Sequence, residues 1–206
     1  MFIDISGIDG CGKSTVARLL MERLSEEGFV CKVFHGYIPR KNMYMLKDVC
    51  IKAGMSQKES SSINTLGMAA ALMDIFCNTK ELFKDGITEI FISEKYIKDS
   101  VVYMPLLGGD GDLAKVYEKD MPVPDIRFIL DIEAEIAYNR VINRSMKTGK
   151  YIQEKESIRI MSEARNRFLD FSRECNTYVI DASQNLEKVF DDVYQIVKSK
   201  LISFNL

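Results

Sequence analysis

The sequence lacks the features of a secreted, membrane-spanning or disulfide-stapled protein. It has five cysteines but no C-x-x-C pair, so neither a zinc site nor a disulfide framework is expected. No apolar stretch approaches the roughly 18 residues of a membrane-spanning helix. The opening residues MFIDISG carry no basic region, so we expect no signal peptide. The cysteine usage predicts a reducing, cytoplasmic location.

An excess of charge of one sign is also missing. Lys and Arg number 28 against 30 Asp and Glu, which gives a net charge of −2. We therefore expect neither nucleic acid nor a membrane surface as a partner. The 206 residues contain no internal repeat, low-complexity tract or linker. They predict a single domain over residues 1–206 with a small lid.

Short apolar runs alternate with amphipathic runs along the chain. The predicted strands are Phe2–Ser6, 30–35, 89–93, 126–132 and 177–181. They are nearly continuously apolar, which is typical of a parallel sheet buried on both faces. Apolar residues at helical spacing follow the first strand, span about 58–84 and continue from 186 to 204, whereas 104–124 has the composition of a loop. The pattern predicts an α/β three-layer fold with a five-stranded parallel sheet flanked by helices.

The most specific motif is GIDGCGKS, residues 7–14, followed by a threonine. It matches the phosphate-loop pattern G-x-x-x-x-G-K-S/T between a strand and a helix. Backbone amides at such a loop bind phosphate, the lysine reaches the β- and γ-phosphates, and the serine hydroxyl binds Mg²⁺. The predicted phosphate-binding residues are Gly7, Asp9, Gly10, Cys11, Gly12, Lys13, Ser14 and Thr15.

Such a loop predicts nucleoside triphosphate binding and leaves the reaction open. An ATPase, a GTPase switch, a kinase and a non-catalytic sensor all carry one. The N-K-x-D motif typical of GTPase switches is missing from the sequence, which argues against that class.

Residues 2–15, FIDISGIDGCGKST, resemble the opening of the thymidylate kinase family. In that family an acidic residue stands two positions after the first glycine and contacts the 3′-hydroxyl of the acceptor nucleotide. Asp9 matches that position. The resemblance implies a P-loop NTPase fold and a kinase that uses ATP with Mg²⁺.

The stretch Glu94-Lys95-Tyr96, with Ser100 and Tyr103 after it, is similar to the family's D/E-R-Y segment. The resemblance implies that Glu94 lies near Mg²⁺ and that Lys95 grips the acceptor phosphate, both as catalytic residues. It implies that Tyr103 crowds a 2′-hydroxyl and thereby favours deoxyribose. Tyr96 and Ser100 complete this part of the implied acceptor site.

A third stretch, from Glu133 to Arg144, is similar to the family's E-x-A-x-x-R segment after a P-D-initiated strand. Arg140, Arg144 and Lys147 are spaced so that one helical face presents three cations. The resemblance implies a lid at about 144–152 that closes over the ATP phosphates. Arg140 is expected to bind ATP, and Arg140 and Arg144 to take part in catalysis.

The sequence departs from the family on the acceptor side. The family's R-E-P-G-G after the second strand is replaced by HGYIPR, in which Arg40 is the candidate phosphate ligand. Lys95 keeps the charge of the family arginine without its bidentate fork. No arginine lies between Arg40 and Arg127, although the family has a base-contacting arginine there. Met104 replaces a glutamine, and the residue at 11 is Cys11, so the lid must supply any arginine to the transferred group.

These observations predict ATP-dependent phosphorylation of a nucleoside monophosphate, with dTMP to dTDP as the leading reaction. The predicted acceptor-binding residues are Asp9, Arg40, Lys95, Tyr96, Ser100 and Tyr103. A deoxynucleoside acceptor, with Glu94 or Asp9 as base, stays open, as does a non-catalytic regulator that binds ATP. The apolar segment 63–83 could form a homodimer interface.

Overall fold

The computed structural model describes residues 1–35, 87–149 and 157–204, together with isolated positions between 52 and 84. The chain separates into two compact units, which are treated individually below. The first comprises Met1–Phe34, Thr88–Glu94 and Pro124–Leu206, and the second His35–Ile87 and Lys95–Val123. The prediction of one domain over residues 1–206 stays a prediction.

The sheet has five strands in the order β2-β3-β1-β4-β5. The strands are β1 (Phe2–Ser6), β2 (Cys31–His35), β3 (Ile90–Glu94), β4 (Ile126–Asp131) and β5 (Thr177–Asp181). β1 runs parallel to both β3 and β4, and β4 runs parallel to β5. The predicted five-stranded parallel sheet is confirmed. The third strand begins one residue later than predicted, so that Glu94 is its last residue.

Helices follow the strands, as the alternating pattern predicts. Those in the described residues are α1 (Lys13–Glu26), α2 (Ile97–Leu106), α3 (Gly111–Glu118), α4 (Ala134–Thr148), α5 (Ile158–Asp170) and α6 (Leu186–Phe204), with a 3₁₀ turn at Phe171–Arg173. Most of the predicted helix over 58–84 lies outside the described residues.

The loop prediction for 104–124 is wrong over α3. The Asp110 carboxylate accepts a hydrogen bond of 2.9 Å from the backbone N–H of Asp112 and so caps that helix. Pro105 lies within α2 rather than beyond its end. The glycines between α2 and α3 therefore mark a short connection between these two helices, and the segment is not one long loop.

The core of the first unit is built around β1. All five of its residues are buried, and Ile3 and Ile5 have no exposed surface. Helix α1 buries Val16, Leu20 and Leu24, one face of the amphipathic pattern, and packs against β3 and α6. Because β1 is central and fully buried, the loop that follows it is held by strands on both sides.

Leu20→Ala tests this core. Leu20 is fully buried, so we expect the free energy of unfolding to fall by about 2–5 kcal/mol as a cavity opens. Leu186→Ala removes the same atoms from a side chain that is 47% exposed, and we expect a change of about 0.5 kcal/mol or less. Urea unfolding followed by circular dichroism measures both. Equal losses in the two variants would contradict the packing described here.

Candidate nucleotide-binding site

The glycine-rich loop connects the end of β1 at Ser6 to the start of α1 at Lys13. Gly12 precedes the helix with a φ of +108°, and the N–H of Thr15 donates back to its carbonyl at 3.0 Å. The amino-terminal end of α1 therefore lies directly at the loop. Such an arrangement at a strand's carboxyl end is a ready-made anion site.

The loop also packs closely against the rest of the first unit. A Cβ atom on Gly10, whose φ is +88°, would lie 2.4 Å from the Ala137 carbonyl oxygen in α4. A Cβ atom on Gly7 would lie 2.7 Å from the Leu130 carbonyl oxygen in β4. Glycine is thus needed at both positions because a side chain would collide with the neighbouring backbone. This requirement is separate from any need for the loop to approach a phosphate closely.

Lys13 is held inside the loop. Its Nζ donates hydrogen bonds to the carbonyl oxygens of Gly7 (2.7 Å) and Ile8 (2.8 Å). The same atom lies 3.8 Å from Asp9 Oδ1 and 3.8 Å from Cys11 Sγ. The lysine is buried. Its ammonium group is consequently a fixed positive charge at the centre of the loop.

Arg140 brings α4 to the same loop. Its Nη1 donates to the Gly10 carbonyl at 3.4 Å, and its Nη2 to the Ala182 carbonyl at 3.2 Å, just after β5. Arg144 lies one turn further along α4 and is exposed. The predicted lid at 144–152 is described only to Gly149, which ends α4 with a left-handed φ of +65°.

Glu94 and Ser14 are the predicted metal ligands. Glu94 ends β3 and stands opposite Ile5 of β1, so its carboxylate and the phosphate loop start from neighbouring strands. Ser14 is exposed in the first turn of α1, and Thr15 follows half-buried. A carboxylate and a hydroxyl are hard oxygen donors, the type that Mg²⁺ binds alongside water and substrate phosphates. The donor set of this edge therefore fits Mg²⁺.

The predicted acceptor residues after Glu94 lie in the second unit. Lys95 adopts a left-handed φ of +63°, unusual for a residue other than glycine. Tyr96 has no exposed surface, and its hydroxyl donates to the Pro122 carbonyl at 3.1 Å. Ser100 and Tyr103 are buried on α2. Arg40 lies outside the described residues.

Sequence reasoning missed a charged pair in the sheet. Asp4 of β1 is fully buried and accepts a hydrogen bond of 3.1 Å from Arg127 Nε of β4. Burial raises the pKa of the Asp4 carboxyl, and the Arg127 guanidinium opposes that shift. The signal was present in the sequence, since Asp4 interrupts the apolar run FIDIS and Arg127 interrupts the apolar run IRFILD.

A second ionic contact holds the start of α4. Arg165 of α5 donates to both carboxylate oxygens of Asp131, at 2.6 and 3.0 Å, and approaches Glu133 at 2.5 Å. The hydrogen bonds to Asp131 raise the pKa of the Arg165 guanidinium, so it stays charged. The contact ties α5 to the end of β4 and to the residue before α4, the helix that carries Ala137 and Arg140.

A glycine-rich loop between a central parallel strand and a helix, with a lysine held inside it, defines the P-loop class of nucleotide-binding proteins. A family model described as thymidylate kinase matches residues 5–193. The chain belongs to the thymidylate kinase family.

Curated relatives match over almost the entire chain. A probable thymidylate kinase 1 of Saccharolobus solfataricus is 30% identical over 199 residues, 97% of each protein. A probable thymidylate kinase of Archaeoglobus fulgidus is 30% identical over 202 residues, 98% of this chain and 96% of the relative. A third, of Pyrobaculum aerophilum, is 31% identical over 199 residues, 96% of each protein.

Gly10→Ala tests the close packing of the loop. We expect ATP affinity to fall about tenfold or more, because the new methyl group meets the Ala137 carbonyl and displaces the loop. Gly28→Ala is the matched control, since Gly28 also has a positive φ, +98°, but nothing lies near its Cβ position. Isothermal titration with a non-hydrolysable ATP analogue measures both. A similar loss in both variants would assign the effect to backbone strain alone.

Proposed function

We propose that this protein is a phosphotransferase that uses ATP to convert dTMP to dTDP. Membership of the thymidylate kinase family over residues 5–193 supports the reaction. The observation that carries it in this chain is the donor loop, in which Lys13 is buried and bonded to two loop carbonyls. Arg140, bonded to the carbonyl of Gly10, adds a second cation to the same loop.

The donor half of the mechanism uses the loop and its cations. Backbone amides of residues 12–14 bind the β- and γ-phosphates, and Lys13 exchanges its carbonyl partners for phosphate oxygens. Ser14 and Glu94 would hold Mg²⁺, which supplies charge neutralisation at the phosphates when bound. Arg140 and Arg144, one turn apart on α4, face the charge that develops on the transferred group.

Transfer forms one bond and breaks one. A phosphate oxygen of dTMP attacks the γ-phosphorus, and the bond from that phosphorus to the β–γ bridging oxygen breaks, releasing ADP. The attacking oxygen is already anionic and needs no strong base. The chain therefore contributes positioning and positive charge, the two effects that dominate phosphoryl transfer.

The acceptor half assigns roles to residues on both sides of Glu94. Asp9 contacts the 3′-hydroxyl, and Lys95 and Arg40 bind the dTMP phosphate. Tyr96, Ser100 and Tyr103 line the nucleoside, with Tyr103 against the 2′ position. The left-handed conformation of Lys95 costs about 1–2 kcal/mol relative to an ordinary one, a cost that is typical of functional positions.

Further features of the family-based proposal concern location and assembly. The described residues contain no helix that is both long and apolar enough to cross a membrane. Cys11, Cys31, Cys77 and Cys175 are free thiols, which supports a reducing, cytoplasmic location. We propose ATP and dTMP as the binding partners, without nucleic acid. A homodimer through segment 63–83 is proposed from sequence, and that segment lies largely outside the described residues.

A coupled ADP-release assay tests the reaction. Mg-ATP is supplied with dTMP, dUMP, the other nucleoside monophosphates and thymidine in turn. We expect turnover with dTMP and its loss in Lys13→Ala, while Lys115→Ala, at a surface lysine that is 63% exposed, keeps it. Turnover with thymidine alone would favour a deoxynucleoside kinase. ATP binding without turnover on any acceptor would favour a regulator.

Lys95 variants test the acceptor assignment. We expect Lys95→Ala to raise KM for dTMP or to lower kcat by about 100-fold, because a phosphate-binding cation is lost while the donor loop is untouched. Lys95→Arg should leave the KM for dTMP unchanged or lower it, since a guanidinium can bind the phosphate through two N–H groups at once. Steady-state kinetics with saturating ATP measure both. A change of less than about threefold in Lys95→Ala would contradict the role.

A further inference from the structure

A buried polar cluster lies at the centre of the sheet, beneath the phosphate loop. Both oxygens of the Asp4 carboxylate accept hydrogen bonds. Ser93 Oγ of β3 donates to Oδ1 at 2.9 Å, whereas Ser6 Oγ of β1 and Arg127 Nε of β4 reach Oδ2 at 3.2 and 3.1 Å. One carboxylate thus connects the three central strands.

The strand register places these groups together. Asp4 stands directly opposite Ser93 in β3 and directly opposite Arg127 in β4. Arg127 continues the cluster outward, because its Nη1 bonds the half-exposed Glu174 Oε2 at 2.8 Å. The cluster therefore runs from a surface carboxylate to the middle of β1.

Stability alone does not account for this arrangement. Asp4, Ser6 and Ser93 have no exposed surface, and burial raises the pKa of the Asp4 carboxyl. A buried ion pair seldom stabilises a fold more than well-packed apolar residues of the same volume. The neighbouring positions in β1, Ile3 and Ile5, are apolar and fully buried, so apolar packing suits this strand.

The two serines that bond Asp4 each lie next to a residue of the proposed site. Ser6 immediately precedes Gly7, the first residue of the phosphate loop, and Ser93 immediately precedes Glu94. The ladder between β1 and β3 ends at the pair Ile5 and Glu94. The Asp4 carboxylate therefore adds a side-chain connection between β3 and Ser6, one residue beyond the last ladder pair.

We propose that Asp4 is a positioning residue, which sets the separation between the phosphate loop and the Glu94 carboxylate by holding the hydroxyls of Ser6 and Ser93. The inference rests on the proposed function, in which the loop and Glu94 act on the same metal–ATP complex. Displacement of a reacting group by about 1 Å can cost roughly 100-fold in rate. Arg127 orients the carboxylate for this role, since its Nε donates to Oδ2 at 3.1 Å.

The test compares two double variants that both remove the buried charges. Asp4→Asn with Arg127→Leu keeps an amide oxygen that accepts from a serine hydroxyl. Asp4→Leu with Arg127→Leu has the same branched shape and the same number of side-chain heavy atoms at position 4, but no acceptor. Because both pairs eliminate the ion pair together, neither leaves an uncompensated buried charge, and we expect both to fold.

We call Asp4→Leu with Arg127→Leu the Leu–Leu pair, and Asp4→Asn with Arg127→Leu the Asn–Leu pair. We expect kcat for dTMP to be about tenfold lower in the Leu–Leu pair than in the Asn–Leu pair, with the two KM values for ATP within about threefold of each other. Thermal unfolding should give comparable midpoints for the two. Ser93→Ala should lower kcat similarly, whereas Ser203→Ala, which removes an exposed hydroxyl at the end of α6, should not. Equal kcat values in the two pairs, or a kcat loss that only tracks the unfolding midpoint, would overturn the proposal.

A second readout separates this inference from the proposed function. The affinity of the ATP-bound protein for Mn²⁺, measured by electron paramagnetic resonance, requires no acceptor and no turnover. We expect the Leu–Leu pair to bind Mn²⁺ about tenfold more weakly than the Asn–Leu pair, because Glu94 and the loop lose their fixed separation. If the wild-type protein shows no turnover with dTMP, that result refutes the proposed reaction but not the role of Asp4. Equal Mn²⁺ affinities in the two pairs would refute the role of Asp4.

Discussion

The parallel pairing of β1 with β3 on one side and β4 on the other is the constraint on which the first unit depends. It makes β1 the middle strand of five, and it directs the carboxyl ends of all three central strands to one edge. The phosphate loop follows β1, and Glu94 ends β3 at that edge. Because side chains within a buried strand have little freedom, small changes at the strand ends are transmitted directly to the site.

Helix α4 is the second element that shapes the site. Its Ala137 carbonyl leaves no room for a side chain at Gly10, and Arg140 bonds both Gly10 and Ala182. The ionic contact of Arg165 with Asp131 and Glu133 holds the start of this helix. The loop is therefore supported from outside by packing and hydrogen bonds, which preorganise it for anion binding at no cost during the reaction.

Charge is distributed unevenly between the two halves of the proposed reaction. The donor loop has Lys13 within it and Arg140 beside it, whereas the acceptor side has Lys95 where the family has an arginine. A lysine is a flexible point charge and cannot replace both arms of a guanidinium. The proposed acceptor site is consequently where this sequence departs most from the family pattern.

The sequence by itself determined the strand–helix alternation, the five strands to within a residue or so, and the phosphate loop, because hydrophobic period and the glycine–lysine pattern are local signals. It did not reveal α3, since the cap by Asp110 depends on local geometry that composition obscures. Only the tertiary structure decided that Asp4 meets Arg127 and that Gly10 meets Ala137, residues more than 120 positions apart in each pair. Such contacts depend on strand order and register, which are set by packing across the whole sheet and have no signature in any single segment.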